Sequence, residues 1–136
     1  MSAATSRLLV VDEDQTGGTA LAALLREEGY RVWTADDPQR AIDAVREFAP
    51  DLVLAAVRVT RGVGVDFLHW LHTHRPDIQL LLLVVSTSTS GVQRLQQLLG
   101  ASDHLRKPID VGDAVARVEA ALSNSSIAAD VTSSHG

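Results

Sequence analysis

The chain has 136 residues, 46% of them apolar, with twelve Lys/Arg against seventeen Asp/Glu and no cysteine. That length fits one domain around a single core, and the mildly acidic balance without a Lys/Arg cluster argues against a nucleic-acid surface in this domain. The lack of cysteine excludes disulfides, thiol catalysis and thiolate metal sites and fits a reducing compartment, so a cytoplasmic setting is expected.

Short β-branched or leucine runs alternate five times with stretches whose apolar residues fall three and four apart, the pattern of strand and helix units. Residues 1–6 form a small polar tail without a basic leader region, and no apolar run is long enough to span a bilayer; the longest is Leu80 to Val85. Arg7 to Val11 reads as the first strand, followed by a helix from about Thr16 that presents Leu21, Leu24 and Leu25 and stops at Gly29. Tyr30 to Thr34 is the second strand. Asp37 before Pro38 marks a capped helix start, with Ala41, Ile42, Val45 and Phe48 as the buried stripe and Pro50 as the stop.

Asp51 to Val57 is the third strand, and a loop with Gly62 and Gly64 leads to a helix carrying Phe67, Leu68 and Leu71 that ends before Pro76. Gln79 to Val85 is the fourth strand. After the polar run Ser86 to Ser90 comes a helix with Val92, Leu95, Leu98 and Leu99 and a Gly100 stop, then a short strand near His104 to Arg106. The last helix opens at Asp110, with Asp113 three residues on, and buries Val111, Ala114, Val115, Val118 and Leu122. The periodic domain thus spans residues 7–122, and the Ser-, Ala- and Asn-rich residues 123–136 read as a linker or flexible tail.

Strands that are apolar throughout are buried on both faces, and right-handed crossovers then place helices on each side of a parallel sheet. The expectation is a doubly wound α/β fold whose functional groups gather at the carboxyl ends of the strands. There the first strand runs into Asp12, Glu13 and Asp14, carboxylates that repel one another unless a cation answers them. The fifth runs into Lys107 and Pro108, a flexible cation beside a rigid turn.

Three segments together carry a resemblance: Leu-Leu-Val-Val-Asp-Glu-Asp at residues 8–14, Pro-Asp-Leu-Val-Leu at residues 50–54 and Gly-Ala-Ser-Asp-His-Leu-Arg-Lys-Pro at residues 100–108. The chain resembles the CheY-like receiver domains of two-component response regulators over residues 7–122. The resemblance implies a flavodoxin-like five-stranded sheet in the order 2-1-3-4-5, magnesium on an acidic pair, and an aspartate that accepts phosphate from a histidine kinase. It also implies a Ser/Thr and a lysine that hold the phosphoryl group. Asp12 and Glu13 match the acidic pair and Lys107 the lysine.

The acceptor position falls five residues after Asp51, on Ala56, whose methyl group cannot take a phosphoryl group. The loop beyond has also departed from the family pattern, with Val59-Thr60 and Val63-Gly64 in place of the usual residues. Ser86 is the candidate for the hydroxyl position, although counting back from Lys107 reaches Val85 and counting forward from Pro76 reaches Val84. The aromatic switch position of the family is His104.

Two carboxylates without the third bind magnesium weakly at most, so no cofactor is required, and the Lys107 ammonium is expected to pair with Asp12 or Glu13 in place of the cation. The leading expectation is a non-enzymatic, phosphorylation-independent interaction module whose partners are proteins: an attached output domain, a histidine kinase, or a second copy in a homodimer. One alternative is a phosphorelay receiver with another acceptor carboxylate; Asp51, about 15 Å away at the opposite end of its strand, is out of reach. The other is a flavodoxin-like nucleotide binder, which fold alone does not exclude but no motif supports. His69, His72 and His74 read as a solvated helix face, Gly17-Gly18 as a frayed helix start, and Trp33 and Trp70 as partly buried packing.

Overall fold

The computed structural model describes residues 6–57, 65–85 and 89–135, with the backbone alone for Val65, Thr89 and residues 124–135. Its elements are β1 (Arg7–Val11), α1 (Gln15–Glu27), β2 (Arg31–Ala35), α2 (Pro38–Phe48), β3 (Leu52–Val57), α3 (Val65–His74), β4 (Gln79–Val84), α4 (Thr89–Leu99), β5 (Asp103–Arg106) and α5 (Val111–His135). All strand pairs are parallel, and the sheet order is β2-β1-β3-β4-β5, as expected. Among the described residues no helix is long and apolar enough to cross a membrane.

Period-two alternation along the strands divides the core in two. Leu8 and Val10 of β1, Leu52 and Leu54 of β3, Leu81 and Leu83 of β4, and Leu105 of β5 pack under α1 and α5 through Leu21, Leu25, Ala114 and Val118. Their neighbours Leu9, Val53, Ala55, Leu80 and Leu82 pack on the opposite face under α2, α3 and α4, against Val45, Phe67, Leu68, Leu71, Val92 and Leu99. Burial of both faces explains why these strands read as continuous apolar runs.

The helix ends follow local chemistry. The Asp37 side chain accepts the Arg40 backbone N–H at 2.8 Å with Pro38 at the first helical position, and the Asp110 side chain accepts the Asp113 backbone N–H at 2.8 Å. At the end of α4, Gly100 has φ +69°, a left-handed conformation that suits glycine. The His72 imidazole also lies so close that a Cβ on Gly100 would come within 2.5 Å of it.

Two expectations are corrected. Gly17 and Gly18 lie inside α1, not in a frayed start, and Gly18 packs over Asp12, where a Cβ would stand 3.4 Å from the Asp12 Cβ. The expected linker after Leu122 is helical backbone to His135. No glycine or proline falls between Asp113 and His135, so nothing in the backbone chemistry stops a helix already nucleated on the core. Trp33 stacks on Phe48 with ring centroids 4.5 Å apart, and Trp70 packs against the core edge.

Removing the cap in Asp37→Ala should lower stability by about 1 kcal/mol, whereas Asp37→Asn should retain most of it. Urea midpoints of the two variants against the parent check this; equal losses would show that the side-chain oxygen is not what caps α2.

Candidate functional site

At the switch point of a doubly wound sheet, crossovers leave β1 in opposite directions and open a crevice at the carboxyl ends of β1 and β3. Register brings the end residues level there. Val11 pairs with Ala55, so Asp12 and Ala56 follow side by side; Ala56 in turn pairs with Leu83 of β4. The Lys107 backbone N–H donates to the Val84 carbonyl at 2.8 Å, which carries the ladder one residue past β5, and the Lys107–Pro108 bond is cis.

Asp12 is 7% exposed, the one buried charged residue among those described. Both of its carboxylate oxygens are used: Oδ1 accepts the Asp14 backbone N–H at 3.0 Å, and Oδ2 accepts from the Lys107 ammonium at 2.6 Å. Of the two partners expected for Lys107, it meets Asp12, because Asp12 points into the crevice while Glu13 turns outward and is exposed. A buried carboxylate needs a counter-charge and hydrogen bonds on its remaining lone pairs, and this arrangement supplies both.

Asp12, Glu13, Asp14, Ala56, Val57, Leu83, Val85 and Lys107 line a cleft of about 200 Å³. The structure thus places Asp12, Glu13, Ala56 and Lys107 around one cleft. Ser86 lies outside the described residues, as do residues 58–64 with the loop positions noted above. Val85, which follows β4 directly, lines the cleft; counting back from Lys107 had pointed to it, and Leu83 joins it through the strand register that the sequence alone does not specify. Beyond Asp12, the Gln15 side chain donates to the Asp36 carboxylate, and this bond foremost, with Arg40 adding its charge, holds the Asp36 carboxyl below the usual carboxylate range.

The magnesium that the resemblance implies can be tested on these donors. Asp12 is committed on both oxygens, Ala56 offers none, and among the described residues no three carboxylate or imidazole groups gather around one point. The residues present do not fit a resident magnesium ion.

His104 is half-buried on β5 and faces α4, its Nδ1 3.0 Å from the Gln96 Oε1 and 3.9 Å from the Asp103 carboxylate. Asp103 is itself held by Arg117 of α5 at 2.7 Å, so a polar chain links α4, β5 and α5. The Arg117 guanidinium is held above its usual pKa, first by its hydrogen bond to Asp113 and further by Asp103. His69, His72 and His74 do not converge: His74 stacks on Trp70 and its Nδ1 contacts the Trp70 carbonyl oxygen, while His72 lies against Gly100.

A family model described as the response regulator receiver domain matches residues 8–119. The chain is 39% identical over 111 residues to the transcriptional regulatory protein ZraR of Klebsiella oxytoca, covering 81% of this chain and 25% of that protein. It is 34% identical over 122 residues to the DNA-binding response regulator MtrA of Mycobacterium tuberculosis (strain ATCC 25618 / H37Rv), covering 90% of this chain and 53% of that one. The chain therefore spans between a quarter and about half the length of these relatives. Among solved structures, a putative response regulator from Chloroflexus aurantiacus J-10-fl superposes with TM-score 0.78 at 26% identity, over 88% of this chain and 98% of its own. A CheY-like receiver domain protein from Methanospirillum hungatei JF-1 shares the fold with TM-score 0.80 at 20% identity, over 90% of this chain and 97% of its own. Sequence match, sheet order and the acid-lysine crevice agree: this chain belongs to the response regulator receiver domain family.

Proposed function

We propose that this receiver domain acts as a phosphorylation-independent protein-interaction module of a two-component pathway, not as a phosphoryl acceptor or an enzyme. The observation that carries this reading is Ala56, at the carboxyl end of β3 beside Asp12. A phosphoryl group needs a nucleophilic oxygen there, and alanine has none. Two features support it. Val85 adds an apolar side chain to the cleft beside Ala56, and Lys107 is already committed to Asp12 at 2.6 Å.

The ammonium of Lys107 thereby substitutes for a metal ion as the counter-charge of the buried carboxylate. The proposed partners are proteins. The relatives are named as transcriptional and DNA-binding regulators and extend well beyond the matched region, which favours an attached output domain as one partner. A cytoplasmic setting follows from the same pathway assignment.

A second acceptor is the main rival reading. Asp51 is at the far end of β3, where its carboxylate accepts the Arg7 backbone N–H at 2.8 Å, so Glu13 and Asp14 are the remaining carboxylates at the cleft among the described residues. Incubation with acetyl phosphate and magnesium, followed by intact-mass measurement, should leave the mass unchanged; a stable gain of one phosphoryl group overturns the proposal. Ala56→Asp should gain phosphate only slowly and in part, because Lys107 must leave the buried Asp12 to reach a phosphoryl group.

Truncation in Lys107→Met should destabilise the domain by about 1–3 kcal/mol, below the full loss for a fully buried pair because the lysine is partly exposed. Combining it with Asp12→Ala should recover part of that loss, since no buried carboxylate then lacks its cation. Urea unfolding of the two single variants and the double variant measures the coupling; additive effects would show that the ion pair contributes no stability.

A further inference from the structure

We propose that the cleft beside Ala56 receives an arginine or lysine side chain of a protein partner, with the aliphatic stem on its apolar wall and the cationic head on Glu13 and Asp14. This rests on the preceding reading of the domain as an interaction module, and it names the chemistry of the partner.

Shape supplies the first argument. The cleft holds about 200 Å³, and its wall is made by the apolar side chains of Ala56, Val57, Leu83 and Val85. A cavity of about 150 Å³ accommodates benzene, so one long side chain fits. Val57 and Leu83 are buried as parts of the sheet, but Val85 is 63% exposed at the mouth. A side chain laid across Ala56 and Val85 would remove this apolar surface from water. A group with a large polar body would instead face methyl groups along the whole wall.

Charge supplies the second. Three carboxylates and one ammonium line the cleft, and Lys107 and Asp12 neutralise each other at 2.6 Å. Glu13 and Asp14 remain, both exposed, and neither side chain has a hydrogen-bond or ionic partner among the described residues. The Asp14 carboxylate lies against the backbone of Gly17, where a Cβ would come within 2.8 Å of it, so the glycine leaves room for it at this edge. An anionic ligand would meet two like charges that have no partner among the described residues, and a purely apolar side chain would cover the wall but leave both carboxylates unmatched. An aliphatic stem ending in a cation satisfies wall and rim together.

The test is an NMR titration of the full chain, labelled with nitrogen-15, with three acetylated and amidated alanine pentapeptides carrying arginine, norleucine or glutamate at the centre. The arginine peptide should shift the amides of Glu13, Asp14, Ala56, Val57 and Val85 in a saturable, salt-sensitive way. The double variant Glu13→Gln, Asp14→Asn should weaken this binding at least about fivefold, and Ala56→Leu, which fills the cleft, should abolish it. Equal binding of the norleucine peptide would make the occupant apolar and overturn the proposal. Preference for the glutamate peptide, shifts confined to other surfaces, or no saturable shift with arginine would overturn it as well. Intact mass after acetyl phosphate treatment of the same sample separates the two readings. A phosphorylated chain defeats the interaction-module reading itself, whereas an unphosphorylated chain that ignores the arginine peptide defeats only the assignment of the cleft.

Discussion

A carboxylate buried at the carboxyl end of β1 must be answered by a positive charge, and around Asp12 that requirement organises the functional end of the sheet. Taking an ion out of water costs several kcal/mol even after relaxation, so Asp12 persists there only with both oxygens bound. The Asp14 backbone N–H satisfies one and the Lys107 ammonium the other. The pair joins the chain after β1 to the chain after β5, 95 positions apart, and holds the β5–α5 connection over the crevice. Stability and chemistry therefore compete for the same lysine: while it holds Asp12 it is not free for a phosphoryl oxygen.

The apolar side of the cleft follows from the sheet. Each strand leaves the core at its carboxyl end, and in a receiver that edge is where polar groups replace apolar ones. Here β3 and β4 run on in apolar residues to the edge, through Ala56, Val57 and Val84 to Val85. Among the described residues the crevice lining is part acidic and part apolar, and its lysine is paired with Asp12.

The opposite face shows the same economy of polar contacts. α4 is held by few buried side chains, chiefly Val92 and Leu99, and by the contact of His104 with Gln96 and of His72 with Gly100. Asp103 and Arg117 extend that contact to α5. His104 thus ties β5 to α4 through Gln96, while its neighbour Asp103 ties β5 to α5 through Arg117.

Much of this was legible in the sequence because it is encoded locally. Strand and helix periods, the Asp37-Pro38 and Asp110 caps, and the Gly29 and Gly100 stops depend on residues a few positions apart, and burial of both sheet faces shows as unbroken apolar runs. The identities of Asp12, Glu13, Ala56 and Lys107 as the crevice residues came from motif spacing, which for the hydroxyl position named Ser86, outside the described residues. Three things depended on tertiary structure: which carboxylate Lys107 meets, which residues wall the cleft, and how far α5 continues. Ion-pair choice depends on which side chain a strand end turns inward, and wall composition on cross-strand register. Helix length depends on propagation from a docked nucleus, which continues where the apolar period has already ended. Those are relations between distant segments, and only the packed sheet brings them within a few ångströms.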